Sequence, residues 1–546
     1  MNFKVIHSCF KKPFITLFLC FLIIPLGISA QNAHYNVKDF GATGQKEHLQ
    51  TKSIQAAIDA AAANGGGTVY IPAGDYLSGT IHLRSNINLY LENGATIWGS
   101  RQESDYQMIP YNTIYDKIPV LIYASNVKNV SIKGKGRVHG QARRELREFK
   151  VPRNLDRYLD GDEISNAVEA GVEMKRYVKI PPYVTLVLFS ESEQITLEDV
   201  TFEESNFWTV HLYRSKTIMI RGIQVYSDMV SGVNADGIGI DSSRDVIITD
   251  VRIKSGDDGI VLKTSYDRRG SLPVENVLVS NCIISSSSAG MKIGTESFAD
   301  FRNIHFQNCI IDDSNRGLNI VIRDGALVEN VTFTNITVNT ERKDWFWWGN
   351  GEAIWLVVTK RNAGSRVGQI RDVAFENIRA VGQGTSRIQG YVSNTDRRDA
   401  LPLENIRLRN VSFYMNPEGK IDKRATHLLQ IREVTGLTIE DVVMDWNPEV
   451  VELEWSGAMH IAEASDVRLH RIRGRQGIVR SALPVFHLHN VTDALIEDVE
   501  GLSGAGLLLY FSGTETKNVQ MERINRLGRA QRAFRVDAEI RRGEVR

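Results

Sequence analysis

The chain has 546 residues, with 65 Lys and Arg against 65 Asp and Glu, so its formal net charge is zero. That balance argues against nucleic acid as the main partner, because phosphate binding needs a surplus of basic groups. The length allows a large core, and a repetitive sequence would turn that length into one long domain rather than several.

The N-terminus reads as a targeting segment. Lys4, Lys11 and Lys12 precede an apolar run from Ile15 to Ile28, and Ile28-Ser29-Ala30 before Gln31 offers a small-residue cleavage site. The run is shorter than the roughly 20 residues that span a bilayer, so no stable membrane span is expected. Cys20 sits inside the run, the wrong place for a lipid-modified cysteine at the cleavage point. Residues 1–30 are therefore expected to be a signal peptide. Residues 31–546 would be one exported domain, periplasmic or extracellular.

Thr51 to Ala63 has the apolar spacing of an amphipathic helix, stopped by Asn64-Gly65-Gly66-Gly67. Strand-like runs follow at Thr68–Ile71 and Ile87–Leu91. Residues 141–180 form a charged insertion expected to be partly helical. From there a block recurs: apolar, any, apolar, any, polar, apolar. Ile195-Thr-Leu-Glu-Asp-Val200 is one copy, and an earlier one starts at Val130. Later copies start at 218, 246, 277, 304, 331, 373, 406, 437, 467, 494 and 519.

Alternating β-branched residues predict strands, and a period near 27 predicts a solenoid. With no amphipathic helix between copies, the pattern fits an all-β, right-handed parallel β-helix whose open end is covered by the N-terminal helix. The longest interval carries a second insertion at 340–352 with Trp345, Trp347 and Trp348. The basic tail from Arg526 reads as a solvated cap or a frayed end. Cys282 and Cys309 lie one repeat apart, which reads more simply as two stacked buried thiols than as a disulfide. Asn281, Asn308 and Asn335 recur at one offset, as a ladder of hydrogen-bonded turns would require.

A second block aligns across the coils. Asp236-Gly-Ile-Gly-Ile240 matches Asp258-Gly-Ile-Val-Leu262, Ala289-Gly-Met-Lys-Ile293 and Arg316-Gly-Leu-Asn-Ile320. Trp208-Thr-Val-His-Leu212 falls one coil upstream and Glu352-Ala-Ile-Trp-Leu356 one coil downstream. In this register one ribbon carries Trp208, His211, Asn234 and Asp236, then Asp257, Asp258 and Lys292. Arg316, Asn319, Arg323, Glu352 and Trp355 follow. Aromatic, acidic and basic groups over several coils describe a saccharide groove. Three crowded carboxylates repel one another, and their usual uses are acid/base chemistry or cation binding. The recurring glycines are explained as tight turns, and His211 is equally compatible with a structural role.

The chain resembles glycoside hydrolase family 28, the polygalacturonase and rhamnogalacturonase family. The motifs that carry this are Asp39-Phe-Gly-Ala42, Gly65-Gly-Gly-Thr-Val-Tyr-Ile-Pro72 and Ser205-Asn-Phe-Trp-Thr-Val-His211. Asn234-Ala-Asp-Gly-Ile238 and Gly256-Asp-Asp-Gly-Ile-Val-Leu-Lys263 complete them. The resemblance implies a secreted, Asp-based inverting hydrolase acting on a pectin-like acidic polysaccharide of galacturonide or rhamnogalacturonan type. Asp257 would be the general acid, and Asp236 and Asp258 would hold the attacking water. Inverting enzymes generally keep acid and base about 6.5–9.5 Å apart.

Two family features are replaced. Ala289-Gly290 stands where the family has Gly-His-Gly, and Asn319-Ile320-Val321 where it has Arg-Ile-Lys. Lys292, Arg316 or Arg323 would then grip the substrate, and a branched or mixed glycan becomes the expected substrate. The insertions would wall one end of the groove and favour exo action. No cofactor and no resident metal are expected, and the chain is expected to be a monomer. Two other readings use the same fold: a polysaccharide lyase with the three acids on Ca²⁺, and a non-catalytic glycan-binding β-helix.

Overall fold

The computed structural model describes residues 34–113, 115–149, 176–343, 349–392 and 400–546. The expected signal peptide, the part of the first insertion expected to be helical, and Trp345, Trp347 and Trp348 lie outside these residues. The protein is a right-handed parallel β-helix. Among the described residues thirty-seven strands join in one sheet system that winds from His34 to Val536. No described helix is long and apolar enough to cross a membrane.

The recurring apolar block is the ladder that holds the coils in register. Ile195 pairs with Ile218, and the chain of partners runs on through Val246, Val277, Ile304, Val331 and Val373. Ile406, Leu437, Val467, Ala494 and Val519 continue it, and Val130 precedes it. Alternate residues of each strand point inward, so like side chains stack in the core. Phe306, Phe333 and Phe375 stack at 5.0 Å with nearly parallel rings.

The polar position of the block is a turn. Asn308, Asn335, Asn377 and Asn410 all adopt left-handed φ of 53–56°, a conformation Asn tolerates better than other side chains. From Asn335 onward each amide donates to the preceding coil, from Asn335 to Asn308 at 3.0 Å, from Asn377 to Asn335 at 2.8 Å and from Asn410 to Asn377 at 2.8 Å. Cys282 and Cys309 are free and buried, as their stacking suggested.

The helix Thr51–Ala63 buries Ile54, Ala57, Ile58 and Ala61 over the first coils. Exposed ends of apolar coils would otherwise face water and offer strand edges. The C-terminal end is closed differently from the expectation. Arg532–Val536 pairs with Leu507–Phe511 as a further rung. The N–H groups of Val519 and Met521 donate to Glu544 and Arg546, each at 2.7 Å. The basic tail is thus an ordered cap, because its alternating residues continue the ladder. The stem of the first insertion is also β: Leu146–Phe149 pairs antiparallel with Arg176–Lys179.

Candidate active site

The second ladder has the register read from the sequence. Val210 pairs with Ile238, then Ile260, Met291, Leu318 and Ile354 follow in turn. Two residues upstream in each coil stand Trp208, Asp236, Asp258, Ala289, Arg316 and Glu352. Asp236 and Asp258 are therefore one coil apart, about 4.8 Å along the axis, and Asp257 is the chain neighbour of Asp258. All three are buried, and one carboxylate oxygen from each lies within 4.8 Å of the others. This is tighter than the 6.5–9.5 Å spacing expected for inversion, because the coil rise sets the distance.

The glycines beside these acids are not turns in left-handed conformation. A Cβ on Gly237 would lie 2.6 Å from the carbonyl oxygen of Gly259, and one on Gly259 would lie 2.5 Å from that of Gly290. They are there because adjacent coils touch backbone to backbone.

Two lysines separate the roles of the three acids. Lys263 Nζ lies 2.8 Å from Asp236 Oδ2, and Lys292 Nζ lies 2.7 Å from Asp258 Oδ2. Asp258 also accepts from Ser288 Oγ at 2.8 Å. Among the described residues Asp257 has no cation in contact. It accepts the Asn234 backbone N–H at 3.1 Å, and Asn234 reaches this position in a left-handed conformation with φ 63°. Burial and the charges of Asp236 and Asp258 hold the Asp257 carboxyl well above its ordinary range. Burial raises Asp236 also, against the pull of Lys263. Burial would lower Lys263, but Asp236, Glu296 and Asp258 hold it well above the usual lysine value. The upward shift and, among the described residues, the lack of a contacting cation fall together on Asp257, which makes it the candidate proton donor of the site.

Upstream, His211 is fully buried. Its Nε2 lies 2.5 Å from Tyr111 Oη, which donates to Asp241 Oδ2 at 2.9 Å. Burial would raise Asp241, but bonds from His211 and Ser265 bring it down to about 2. The Trp208 ring stacks on His211 at 4.3 Å, and Lys263 Nζ stands 5.3 Å over it. Trp208 is only 5% exposed; Tyr115, which packs edge-on against it at 5.2 Å, is 40% exposed. Tyr115 therefore presents the open aromatic surface, and His211 is positioned behind Trp208 rather than facing the groove.

Downstream, Asn319 shares a rung with Lys292 and Trp355. Its Oδ1 is buried without a hydrogen-bond donor. Arg316 pairs with Glu352 at 3.1 Å and lies 4.2 Å over Trp355. Arg323 is buried, 3% exposed. Lys292 and Arg316, read as substrate clamps, thus already hold carboxylates of the protein.

Sequence reasoning missed Lys263 as a site residue, together with Tyr111, Tyr115, Asp241 and Glu296. Burial would raise Glu296, but Lys263, Arg361 and Lys292 hold it below the usual range. Lys263 had a signal, since it ends the Gly256–Lys263 motif and lies on the next coil's copy of the Asp241 position. Tyr111 and Tyr115 come from a loop outside the repeat, and no periodicity points to them.

Known proteins resemble the chain in sequence and in fold. The profile of glycosyl hydrolases family 28 matches residues 64–412. The chain belongs to that family. Over 293 residues it is 27% identical to a probable polygalacturonase of Vitis vinifera, covering 51% of this chain and 54% of that one. It is 23% identical over 300 residues to an exo-poly-alpha-D-galacturonosidase of Dickeya chrysanthemi, covering 48% of each chain. The chain thus spans about half the length of these relatives. The fold matches that of an exopolygalacturonase from Thermotoga maritima with a TM-score of 0.55 and 24% identity, over 70% of this chain and 88% of that one. The family match covers the coils of the three acids and ends before the last coils.

Proposed function

We propose that the protein is an exported glycoside hydrolase that cleaves pectin-like acidic polysaccharide, of galacturonide or rhamnogalacturonan type, from a chain end. The observation that carries this reading is the split among three carboxyls: Asp236 and Asp258 are each gripped by a lysine, and Asp257 is not. A hydrolase needs a proton donor for the leaving oxygen and a carboxylate for water. Asp257, raised by burial and by its two acidic neighbours, donates the proton. Asp236 and Asp258 hold and deprotonate the water between them. Relatives named as polygalacturonase and exo-galacturonosidase support the substrate class and the exo action.

The tight spacing bears on stereochemistry. A nucleophilic carboxylate would have to leave its lysine to attack the sugar, whereas a water can be held by carboxylates that stay paired. Inversion follows from that argument. The lysines also oppose the calcium-lyase reading: they already neutralise two of the three acids, so the cluster has little charge left to attract a divalent cation.

The test is product analysis on polygalacturonate and rhamnogalacturonan, with and without chelator, beside Asp257→Asn. Saturated reducing sugars that are insensitive to chelator and lost by about 10²–10⁴-fold in Asp257→Asn are expected. The first anomer seen by NMR should be inverted. Unsaturated, calcium-dependent products would overturn the reading in favour of a lyase.

A further inference from the structure

The coil after the three acids carries a fourth carboxylate that the mechanism does not use. Leu262 pairs with Ile293 and Thr264 with Ser297, so Lys263 alone stands opposite Gly294, Thr295 and Glu296. An irregularity of this kind re-aims a side chain that a regular rung would fix. Here it brings Glu296 to the site. Burial raises the Tyr115 phenol, and Glu296, Asp236 and Asp257 raise it further, so one side chain at the open rim feels the charge of all three. Burial would raise the Glu296 carboxyl as well, but Lys263, Arg361 and Lys292 hold it below the usual range, and it is ionised at neutral pH.

The charges around Glu296 do not balance. Lys263 bonds Asp236, Lys292 bonds Asp258, and Arg361 bonds Asp324 at 2.7 Å. Among the described residues no cation is left to pair with Glu296, which is half-buried rather than enclosed. With Asp257 as the proton donor, three ionised carboxylates stand against two lysines, and the site keeps an excess of negative charge. On the rung beyond Lys292, Asn319 Oδ1 is buried without a donor. An unpaired carboxylate and an orphaned amide oxygen are both acceptors, and both match a hydroxyl. A sugar carboxylate brings further acceptors and a like charge, and it would find the neighbouring cations already taken.

We propose that Glu296 is a specificity-determining residue: it accepts a hydroxyl from one of the two sugars flanking the cleaved bond and requires that sugar to be neutral. Among the acidic polysaccharides assigned above, this selects a bond between a uronate and a neutral sugar over a bond between two uronates. The inference rests on the hydrolase reading of the three acids, and it adds a discrimination that those acids alone do not make.

The experiment compares kcat/KM on two series of equal length. One is rhamnogalacturonan backbone oligosaccharides, prepared with either sugar at the end, in which every bond joins a uronate to a neutral sugar. The other is oligogalacturonides, in which every bond joins two uronates. The unaltered chain should prefer the first series by about tenfold or more, and Glu296→Gln should shrink that preference by about tenfold, chiefly by raising turnover of oligogalacturonides. Glu296→Asp keeps the charge and should keep the preference. If Glu296→Gln lowers both activities together, Glu296→Asp decides: a retained preference supports the proposal, and a ratio near one overturns it. An unaltered chain that cleaves oligogalacturonides as fast or faster, or a ratio that Glu296→Gln leaves in place, overturns the role of Glu296 while the hydrolase reading stands. No hydrolysis of either series overturns both readings.

Discussion

The catalytic coils and the C-terminal coils share one core ladder but differ in how the chain crosses it. In the catalytic coils the site strands are short: Ile238–Asp241 has 4 residues and Ile260–Thr264 has 5. In the C-terminal coils Leu429–Trp446 runs for 18 residues and Met459–Gly474 for 16. Short strands leave irregular segments between them, and those segments bring in side chains such as Asp257 that no regular strand could aim at the ladder. Long strands alternate inward and outward residues with few interruptions, so each outward position repeats as a column from coil to coil, as Gln430, His460 and His487 do. The same contrast appears one residue before the paired position of the second ladder, Ile238, Ile260, Met291 and Leu318, then Leu429, Met459 and Phe486. Gly237, Gly259, Gly290 and Gly317 hold it in the catalytic region, whereas Leu428, Ala458 and Val485 hold it further on. At this position the coils of the acids meet backbone to backbone, through Gly237 and Gly259.

The largest effect should come from unbalancing that crowding. Lys263→Met removes the cation paired to Asp236 at 2.8 Å. Lys263 lowers Asp236, so without it that carboxyl keeps its proton to a higher pH. The base then fails at higher pH, and the acid limb of the kcat/KM profile should move up by about one unit. At the optimum, kcat/KM should fall by about a hundredfold. A pH–rate profile that keeps its acid limb in place would remove Asp236 from the water-holding role.

Much of this contrast was legible in the sequence, for a definite reason. A parallel β-helix repeats its backbone, so matching apolar positions fixes register, and register places Trp208, Asp236, Asp258 and Trp355 on one face. The helix Thr51–Ala63 was legible from its spacing and its glycine stop. What register does not give is side-chain pairing. Lys292 and Arg316 lie in the rung register read for them, yet the sequence could not reveal that each is held by an acid. Nor could it reveal that His211 is enclosed by Tyr111 from a loop 100 residues away.

The glycine column offers the next test. Gly259→Ala would put a Cβ 2.5 Å from the carbonyl oxygen of Gly290. Neither backbone can retreat without opening the ladder, so a loss of about 1–3 kcal/mol is expected in urea unfolding. Because Asp258 is the adjacent residue, kcat should fall in the same variant. In the C-terminal coils the equivalent position already carries Ala458, and Ala458→Gly should leave kcat where it was. Equal responses at the two sites would erase the distinction between the regions.

The smallest effect concerns what the crowded acids do to stability. Asp257 has its carboxyl raised well above the unfolded value by burial and by Asp236 and Asp258. A group raised in this way favours the folded state fully at pH below its unfolded value. That contribution is lost as pH rises toward the folded value, since the unfolded chain ionises first. At neutral pH the native protein therefore carries a destabilising carboxyl that Asn would not. Asp257→Asn should melt higher than the wild type at pH 7, by about 1 kcal/mol, while losing activity. The difference should shrink as pH falls toward the ordinary aspartate range. A variant that melts lower at pH 7 would mean that Asp257 is stabilised as a carboxylate, and the proton would have to be assigned to one of its lysine-held neighbours.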